Sequence, residues 1–252
     1  MSGHEALWSW GDVAATAVEG AICLSHRTDR ARLWVRGGRL VPGSDYAGGT
    51  RAARRELARV GAILRLRERG RYLIHAAGVV DPDGRAWLLS GDSGSGKSTL
   101  AYALARAGWK VLGDDGVIVE VDSAGATAYA WRDPLRVSTS LVAAFPELES
   151  RTAGADPRDP RSRVPIAFSL VRRAPLGGIV FVRRAEQYRL ARADPLTALA
   201  ALVRQSPWVI VADEQSRAHL DALARLAAFP CFSLDHTAAE LHTVATLLTG
   251  AA

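Results

Sequence analysis

The chain has 252 residues, of which 48% are hydrophobic and 23% are charged. This composition is typical of a globular protein with a sizeable core, and it excludes a disordered chain, a collagen and a small disulfide scaffold. The formal net charge is +6. Lys97 and Lys110 are the only lysines, and all other basic residues are arginines spread along the chain. We interpret the arginine excess as compositional background, so the charge by itself predicts no particular partner.

No stretch of the chain is long and apolar enough to predict a membrane span, and residues 1–15 lack the pattern of a signal peptide. Cys23 and Cys231 are far apart and have no metal-ligand spacing, so we expect two buried thiols. Basic residues are not interleaved with aromatic residues in the way that predicts nucleic-acid binding. We therefore expect a soluble, cytoplasmic protein that binds neither membranes nor nucleic acid.

The first residues alternate short apolar runs with turn residues, which predicts a small β-rich extension over 1–48 and a larger domain over 49–252. Apolar residues then recur at helical spacing from Thr50 to Arg69. Eight arginines lie between positions 51 and 71. We interpret them as a solvated helix face, although a phosphate-rich partner is the alternative.

The rest of the chain alternates predicted strands with predicted helices, which is typical of an α/β fold. Strands are predicted at Tyr72–Val79, Ala86–Ser90, Lys110–Leu112, Val117–Val121, Ala126–Trp131, Leu176–Val182 and Cys231–Leu234. Helices are predicted at Lys97–Ala107, Leu196–Arg204, Ser216–Ala228 and Ala238–Leu248. Between Ser150 and Pro165 the chain is rich in Pro, Arg, Asp and Gly, which predicts a mobile loop.

A phosphate-loop motif, G-x-x-x-x-G-K-[ST], lies between a predicted strand and a predicted helix, as the motif requires. In such a loop, backbone N–H groups and the helix N-terminus bind phosphate oxygens. Lys97 would reach the β- and γ-phosphates and Ser98 would bind Mg²⁺, so ATP and Mg²⁺ are the expected cofactors. A lysine at this position of an arginine-rich chain disfavours a turn without function. The expected cofactor-binding residues are Gly91, Asp92, Ser93, Gly94, Ser95, Gly96, Lys97, Ser98 and Thr99.

Two adjacent carboxylates, Asp114 and Asp115, follow a short predicted strand. In P-loop enzymes one acidic residue assists the metal, and transfer to a hydroxyl is helped by a carboxylate that accepts the proton. The pair could divide these two roles. An Asp-Gly turn between two strands is the alternative. His75 lies within a predicted apolar strand, which by itself favours a buried structural histidine.

The order of these features over Tyr72–Val121 resembles the C-terminal catalytic domain of the bacterial HPr kinase/phosphorylase and its shorter relatives. The resemblance implies a P-loop kinase fold with a mixed central β-sheet flanked by helices, here with the short β-rich extension in front. It implies that Lys97 holds the phosphates, that Ser98 and Asp115 serve the metal, and that Asp114 is the base. His75 would lie near the transferred phosphate. The roles of the two aspartates could be exchanged.

The chain departs from this family in two ways. Only 74 residues precede His75, and the family's Glu-x-Arg-Gly-x-Gly segment is absent downstream of the aspartates. The resemblance therefore implies neither HPr as substrate nor phosphorylase activity, and both questions stay open. The shorter relatives include kinases that phosphorylate a serine of lasso-peptide precursors. Arg132, Arg136 and Arg163 are candidates for the missing contacts, with ordinary surface arginines as the alternative.

These observations predict a kinase that transfers the γ-phosphoryl group of ATP to a hydroxyl, with a serine of a peptide or small protein, such as a ribosomal peptide precursor, as acceptor. A small-molecule kinase and a non-catalytic nucleotide-binding regulatory protein are the alternatives. The expected catalytic residues are His75, Lys97, Asp114 and Asp115. Assembly into a homo-oligomer stays open.

Overall fold

The protein is a mixed α/β chain. The structure, a computed structural model, describes residues 6–131, 139–151, 170–211 and 213–237. The chain divides into two compact units, one of Met1–Tyr72 with Pro207–Asp221 and one of Leu73–Ser206 with Ala222–Ala252. The predicted domain boundary between residues 48 and 49 stays a prediction.

The described residues of the first unit contain an antiparallel sheet whose five strands follow one another in chain order. Each strand pairs with the next through a short turn, so the predicted β-rich character of this segment is confirmed. The strands are β1 (Ala6–Trp10), β2 (Val13–Val18), β3 (Ala21–His26), β4 (Arg32–Arg36) and β5 (Arg39–Pro42).

Helix α1 (Arg51–Arg67) belongs to the same unit and confirms the predicted helix. Its N-cap is Thr50, whose side chain accepts a hydrogen bond from the amide of Ala53. At Gly61 the helix passes so close to the sheet that an added Cβ would lie 2.9 Å from the side chain of Leu40. The absence of a side chain at this position lets the helix pack onto the sheet.

One arginine of α1 is not solvated, contrary to the interpretation of the arginine-rich segment. Arg67 is fully buried and donates two hydrogen bonds to the carboxylate of Asp213, at 2.7 and 3.0 Å. It also donates from Nε to Nδ1 of His219, which is itself fully buried. The guanidinium is buried because charged and polar partners satisfy its donors.

In the described part of the second unit, nine strands form a mixed sheet. Its order is β6-β10-β11-β12-β8-β7-β9, and β14 pairs with β12 and β13. The strands are β6 (Arg71–Ile74), which starts in the first unit, β7 (Ala76–Val80), β8 (Ala86–Ser90), β9 (Lys110–Gly113), β10 (Val117–Asp122), β11 (Gly125–Ala130), β12 (Arg173–Arg184), β13 (Arg189–Arg192) and β14 (Cys231–His236).

The pairing directions place three strand ends at one edge of this sheet. Strand β12 runs parallel to both β8 and β14, whereas the β7–β8 and β7–β9 pairs are antiparallel. The carboxyl ends of β8, β12 and β14 therefore lie side by side. In open α/β sheets, ligands bind beyond the carboxyl ends of parallel strands.

Four helices follow α1 in the described residues: α2 (Lys97–Arg106), α3 (Thr139–Ala144), α4 (Pro195–Gln205) and α5 (Ser216–Leu226), the last of which has residues in both units. All of them except α3 lie close to their predicted positions. Helix α2 packs Leu100 and Leu104 against Val180, Val182 and the neighbouring strands to form the core. Helix α4 begins after Asp194, whose side chain accepts hydrogen bonds from two backbone amides.

The strand predicted at Tyr72–Val79 is wrong in one respect, because it is interrupted at His75 and forms β6 and β7. The amide of His75 donates instead to the carbonyl oxygen of Gln205 at 2.7 Å. Strand β13 and helix α3 were not predicted, nor were the short 3₁₀ helices at Pro146–Arg151 and Pro207–Ile210.

Several predictions lie outside the described residues. They are the helix at Ala238–Leu248, most of the loop between Ser150 and Pro165, and Arg132, Arg136 and Arg163. Cys23 and Cys231 are buried and unpaired, as expected, and burial raises the pKa of the Cys231 thiol to about 11. Within the described ranges, no helix has the length and apolar character needed to cross a membrane.

Candidate functional site

The glycine-rich loop lies where the sequence predicts it, between the end of β8 and the start of α2. The amide of Ser95 donates to the carbonyl oxygen of Asp92, which closes a turn within the loop. The N-cap of α2 is Gly96, and no side chain of the described residues caps this helix end. The N-terminal amides of a helix are hydrogen-bond donors at the positive end of its dipole, so this end of α2 suits an anion.

Two glycines of the loop are required by its geometry. Gly91 has φ +153° and an added Cβ would lie 2.4 Å from the carbonyl oxygen of Val182. Gly96 has φ +101°, and its Cβ would lie 2.7 Å from the imidazole ring of His236. Backbone with positive φ and no space for a Cβ favours glycine at both positions.

The side chain of Lys97 lies along the loop. Its ammonium group donates hydrogen bonds to the carbonyl oxygens of Gly91 and Asp92, at 2.8 and 2.9 Å, and the residue is 7% exposed. The loop therefore holds a positive charge beside the uncapped end of α2. A compact ammonium on a thin stem fits between these two carbonyl groups.

Ser98, in the first turn of α2, contacts one of the two predicted carboxylates. Its hydroxyl donates to Oδ1 of Asp114 at 2.9 Å. Asp114 is 2% exposed and directly follows β9. A serine hydroxyl beside a buried carboxylate is the oxygen chemistry that Mg²⁺ binds together with phosphate oxygens and water.

Asp115 has φ +64° and contacts a different residue, His75. Nδ1 of His75 lies 3.4 Å from both a carboxylate oxygen and the carbonyl oxygen of Asp115. Because both of these oxygens are acceptors, the Nδ1 atom carries the proton. About a third of the His75 side chain and about a quarter of the Asp115 side chain are exposed, so both can reach a bound molecule.

The surroundings of His75 keep its ring neutral. Burial is the main cause that lowers the pKa of His75, and the nearby positive charge of Lys97 lowers it further. The Asp115 carboxylate raises it, which only partly offsets these effects. The four expected catalytic residues therefore lie in one place, with His75 and Asp115 on its accessible side.

Two polar residues donate hydrogen bonds to the loop, and the sequence analysis does not predict either of them. His236, at the end of β14, donates from Nε2 to the carbonyl oxygen of Ser95 at 2.8 Å. Gln205, at the end of α4, donates from Nε2 to Oδ1 of Asp92 at 2.8 Å. Both contacts join positions more than a hundred residues apart, so no local pattern signals them.

The remaining residues of the motif differ in exposure. Ser93 and Gly94 are exposed at the tip of the loop, and Thr99 is buried within the first turn of α2. Among the described residues, no group of three or more His, Cys, Asp or Glu side chains is placed to hold a metal ion.

Comparison with known proteins gives a distant likeness. No family model matches the chain, and no curated protein matches it by sequence. The chain is similar in fold to the HPr(Ser) kinase/phosphatase from Coxiella burnetii, at 11% sequence identity and a TM-score of 0.39. The alignment covers 71% of this chain and 94% of that chain.

Proposed function

We propose that this chain is a P-loop phosphotransferase that moves the γ-phosphoryl group of ATP to a hydroxyl. The observation that carries the proposal is the contact between Ser98 and buried Asp114 at the start of α2, beside Lys97. P-loop phosphoryl-transfer enzymes share three groups: a phosphate loop, a hydroxyl that binds the metal ion, and a carboxylate that follows another strand of the sheet.

The contacts favour an exchange of the two expected aspartate roles. Asp114 is the partner of Ser98, so it would hold the metal side of the site. Asp115 is more exposed and lies against neutral His75, so it would accept the proton of the acceptor hydroxyl. Mg²⁺ held by Ser98 and Asp114 would neutralise charge on the phosphoryl oxygens. Lys97 would orient the β- and γ-phosphates.

The acceptor follows from the resemblance in sequence and from the accessibility of Asp115 and His75. We propose a serine of a peptide or small protein, because an extended chain can present its hydroxyl to a carboxylate that is open to solvent. A small-molecule alcohol is the alternative acceptor, and its hydroxyl would donate its proton to the same Asp115 carboxylate.

The test compares three single substitutions in the full chain. Asp115→Asn is expected to leave the affinity for ATP with Mg²⁺ unchanged and to lower turnover by about 10²–10⁴-fold, which is the usual contribution of a general base. Asp114→Asn is expected to weaken binding of ATP in the presence of Mg²⁺. Asp83→Asn, in an exposed turn, serves as the control.

Calorimetry with ATP measures the binding, and intact mass of candidate peptides measures transfer of a phosphoryl group. Absence of ATP binding by the unaltered chain would overturn the proposed function. Binding without transfer to peptide or small-molecule alcohols would assign the chain to nucleotide-binding proteins without catalysis. Full turnover by Asp115→Asn together with loss of turnover by Asp114→Asn would return the base to Asp114.

A further inference from the structure

A cavity of about 460 Å³ opens beside the loop, within the second unit. Gly91 and Ser95 of the loop form one side of it, Phe181 of β12 forms the floor, and Thr197 and Ala201 of α4 lie opposite. Its volume is in the range of pockets that bind small organic ligands. Phosphates and a metal ion do not by themselves need such a space, so the chemistry described above leaves the cavity unassigned.

The cavity lies on the opposite face of the sheet from α2. Val180 and Val182 of β12 pack with the core residues of α2. Side chains alternate along a strand, so Phe181 faces the other way, towards the cavity. Ser233 of β14 pairs with Phe181 in register and also lines the cavity. The cavity is thus built on the carboxyl ends of β12 and β14, next to the end of β8.

The order of the strands separates the cavity from the two aspartates. Strand β8, which leads into the loop, has β12 on one side and β7 on the other, and β9 follows β7. Asp114 and Asp115 directly follow β9, whereas the cavity lies by β12 and β14. If the γ-phosphate of a bound nucleotide lies at the aspartates, its α-phosphate therefore lies on the side of the loop that faces the cavity.

The lining of the cavity combines an aromatic ring, small side chains and hydroxyls with charged residues. The charged residues are Asp235 and the exposed Asp92, Arg183, Arg184 and Arg204. Phe181 is half-buried, and Ala193 and Ala201 leave space opposite it. The Oγ atom of Ser95 is buried and has no hydrogen-bond partner among the described residues. An aromatic face for stacking, with a few polar groups at the edges, is how proteins bind a planar heterocycle.

We propose that this cavity binds the nucleoside part of the nucleotide, its base and ribose, while the loop holds the phosphates. This inference rests on the proposed function. The base stacks on Phe181, which is half-buried and lines the cavity. The acceptor belongs on the other side of the loop, because its hydroxyl has to reach Asp115 and His75.

The test separates the nucleoside from the phosphates by comparing ATP with inorganic tripolyphosphate, both with Mg²⁺. Ala201→Phe fills the cavity from α4, and Ala200→Phe places the same ring on the exposed side of the same helix. We expect Ala201→Phe to weaken ATP binding at least about tenfold, within the range that stacking of one base contributes. Tripolyphosphate binding by Ala201→Phe, and both affinities of Ala200→Phe, should stay unchanged.

A second variant, Phe181→Leu, keeps an apolar side chain and removes the ring, and it is expected to weaken ATP binding without affecting tripolyphosphate. Unchanged ATP affinity in both cavity variants would overturn the inference. So would equal weakening of ATP and tripolyphosphate, which would mean that the substitutions distort the loop. Loss of transfer with unchanged ATP affinity would assign the cavity to the acceptor instead. If neither probe binds the unaltered chain, the proposed function fails before the cavity is tested.

Discussion

His236 donates a hydrogen bond from its Nε2 atom to the carbonyl oxygen of Ser95, 141 positions earlier in the chain. The histidine is 1% exposed, and its ring occupies the space into which a side chain at Gly96 would project. The end of β14 therefore supports the turn that leads into α2. Because this contact is made to the backbone of the loop, His236 is a positioning residue for the amides to which the proposed function assigns phosphate binding.

Substitution of His236 should change phosphate affinity through the loop. We expect His236→Ala to weaken binding of tripolyphosphate and of ATP by the same factor, up to about tenfold, which corresponds to the net contribution of one hydrogen bond. His236→Gln, whose amide nitrogen can donate from a similar position, should recover most of the affinity. Calorimetry with tripolyphosphate and with ATP measures the affinities of both variants.

The control for His236 is His26→Ala, at a half-buried position of the first unit. It should leave both affinities unchanged. A purely structural role would lower the unfolding temperature of His236→Ala without changing the affinities, and that result would contradict the positioning role.

Gly96 and Gly94 offer a matched pair, because both have positive φ but only Gly96 faces another residue. Their φ angles are +101° and +83°, and an added Cβ at Gly94 would meet no atom of the described residues within 4 Å. We expect Gly94→Ala to cost about 1–2 kcal/mol of backbone strain. Gly96→Ala should cost more, since the methyl group would also displace His236. Thermal unfolding and the affinity for ATP check this, and equal effects of the two substitutions would refute the packing argument.

The two lysines of the chain allow a similar comparison. Lys97 is enclosed by two carbonyl groups of the loop, whereas Lys110 is exposed at the start of β9. We expect Lys97→Arg to abolish measurable tripolyphosphate binding, because the planar guanidinium is too wide for the position of the ammonium. Lys110→Arg should bind tripolyphosphate with the affinity of the unaltered chain. Tight binding by Lys97→Arg would show that the loop does not hold phosphates through this side chain.

The sequence predicts those site residues that lie in one continuous segment. It does not predict the site residues that come from distant segments of the chain. The loop and the first turn of α2 form one run of the chain, so their glycines, Lys97 and Ser98 can be recognised by spacing alone. Asp114 could be placed near Ser98 only as one of two neighbouring carboxylates, and the choice between them depends on which one meets the hydroxyl. His236 reaches the loop through the pairing of β14 with β12, which no local pattern encodes.

The strands, too, can be predicted only where the signal lies within the segment itself. Strands β7 and β8 are buried at every position and the centre of β12 is buried, so continuous apolar runs predict them. Strand β13 has only partly buried or exposed residues, so nothing in its sequence distinguishes it from a loop. The break at His75 is decided by Gln205, because the carbonyl oxygen of Gln205 takes the amide hydrogen that a continuous strand would give to a neighbouring strand.

Buried His219 makes the stability of the first unit depend on pH. Its ring stacks on Tyr72 at 4.3 Å, and its Nδ1 accepts a hydrogen bond from Arg67, whose charge is paired with Asp213. Burial, and then the charge of Arg67, lower the pKa of His219 from 6.5 to about 3. In the unfolded chain the histidine regains its ordinary pKa, so below pH 6.5 the unfolded state binds a proton that the folded state excludes. Stability therefore falls as the pH decreases from 6.5 towards 3, by about 1.4 kcal/mol per pH unit.

His219→Gln removes this titration while its side chain can still accept a hydrogen bond from Arg67. We expect the unaltered chain to lose about 2 kcal/mol more stability than the variant between pH 7 and pH 5, a range that lies above the usual titration of carboxylates. Urea unfolding at several pH values measures the difference, and His26→Gln is the control, since it should keep the full slope. Parallel pH profiles for the unaltered chain and His219→Gln would mean that His219 takes up its proton in the folded state as readily as in the unfolded chain.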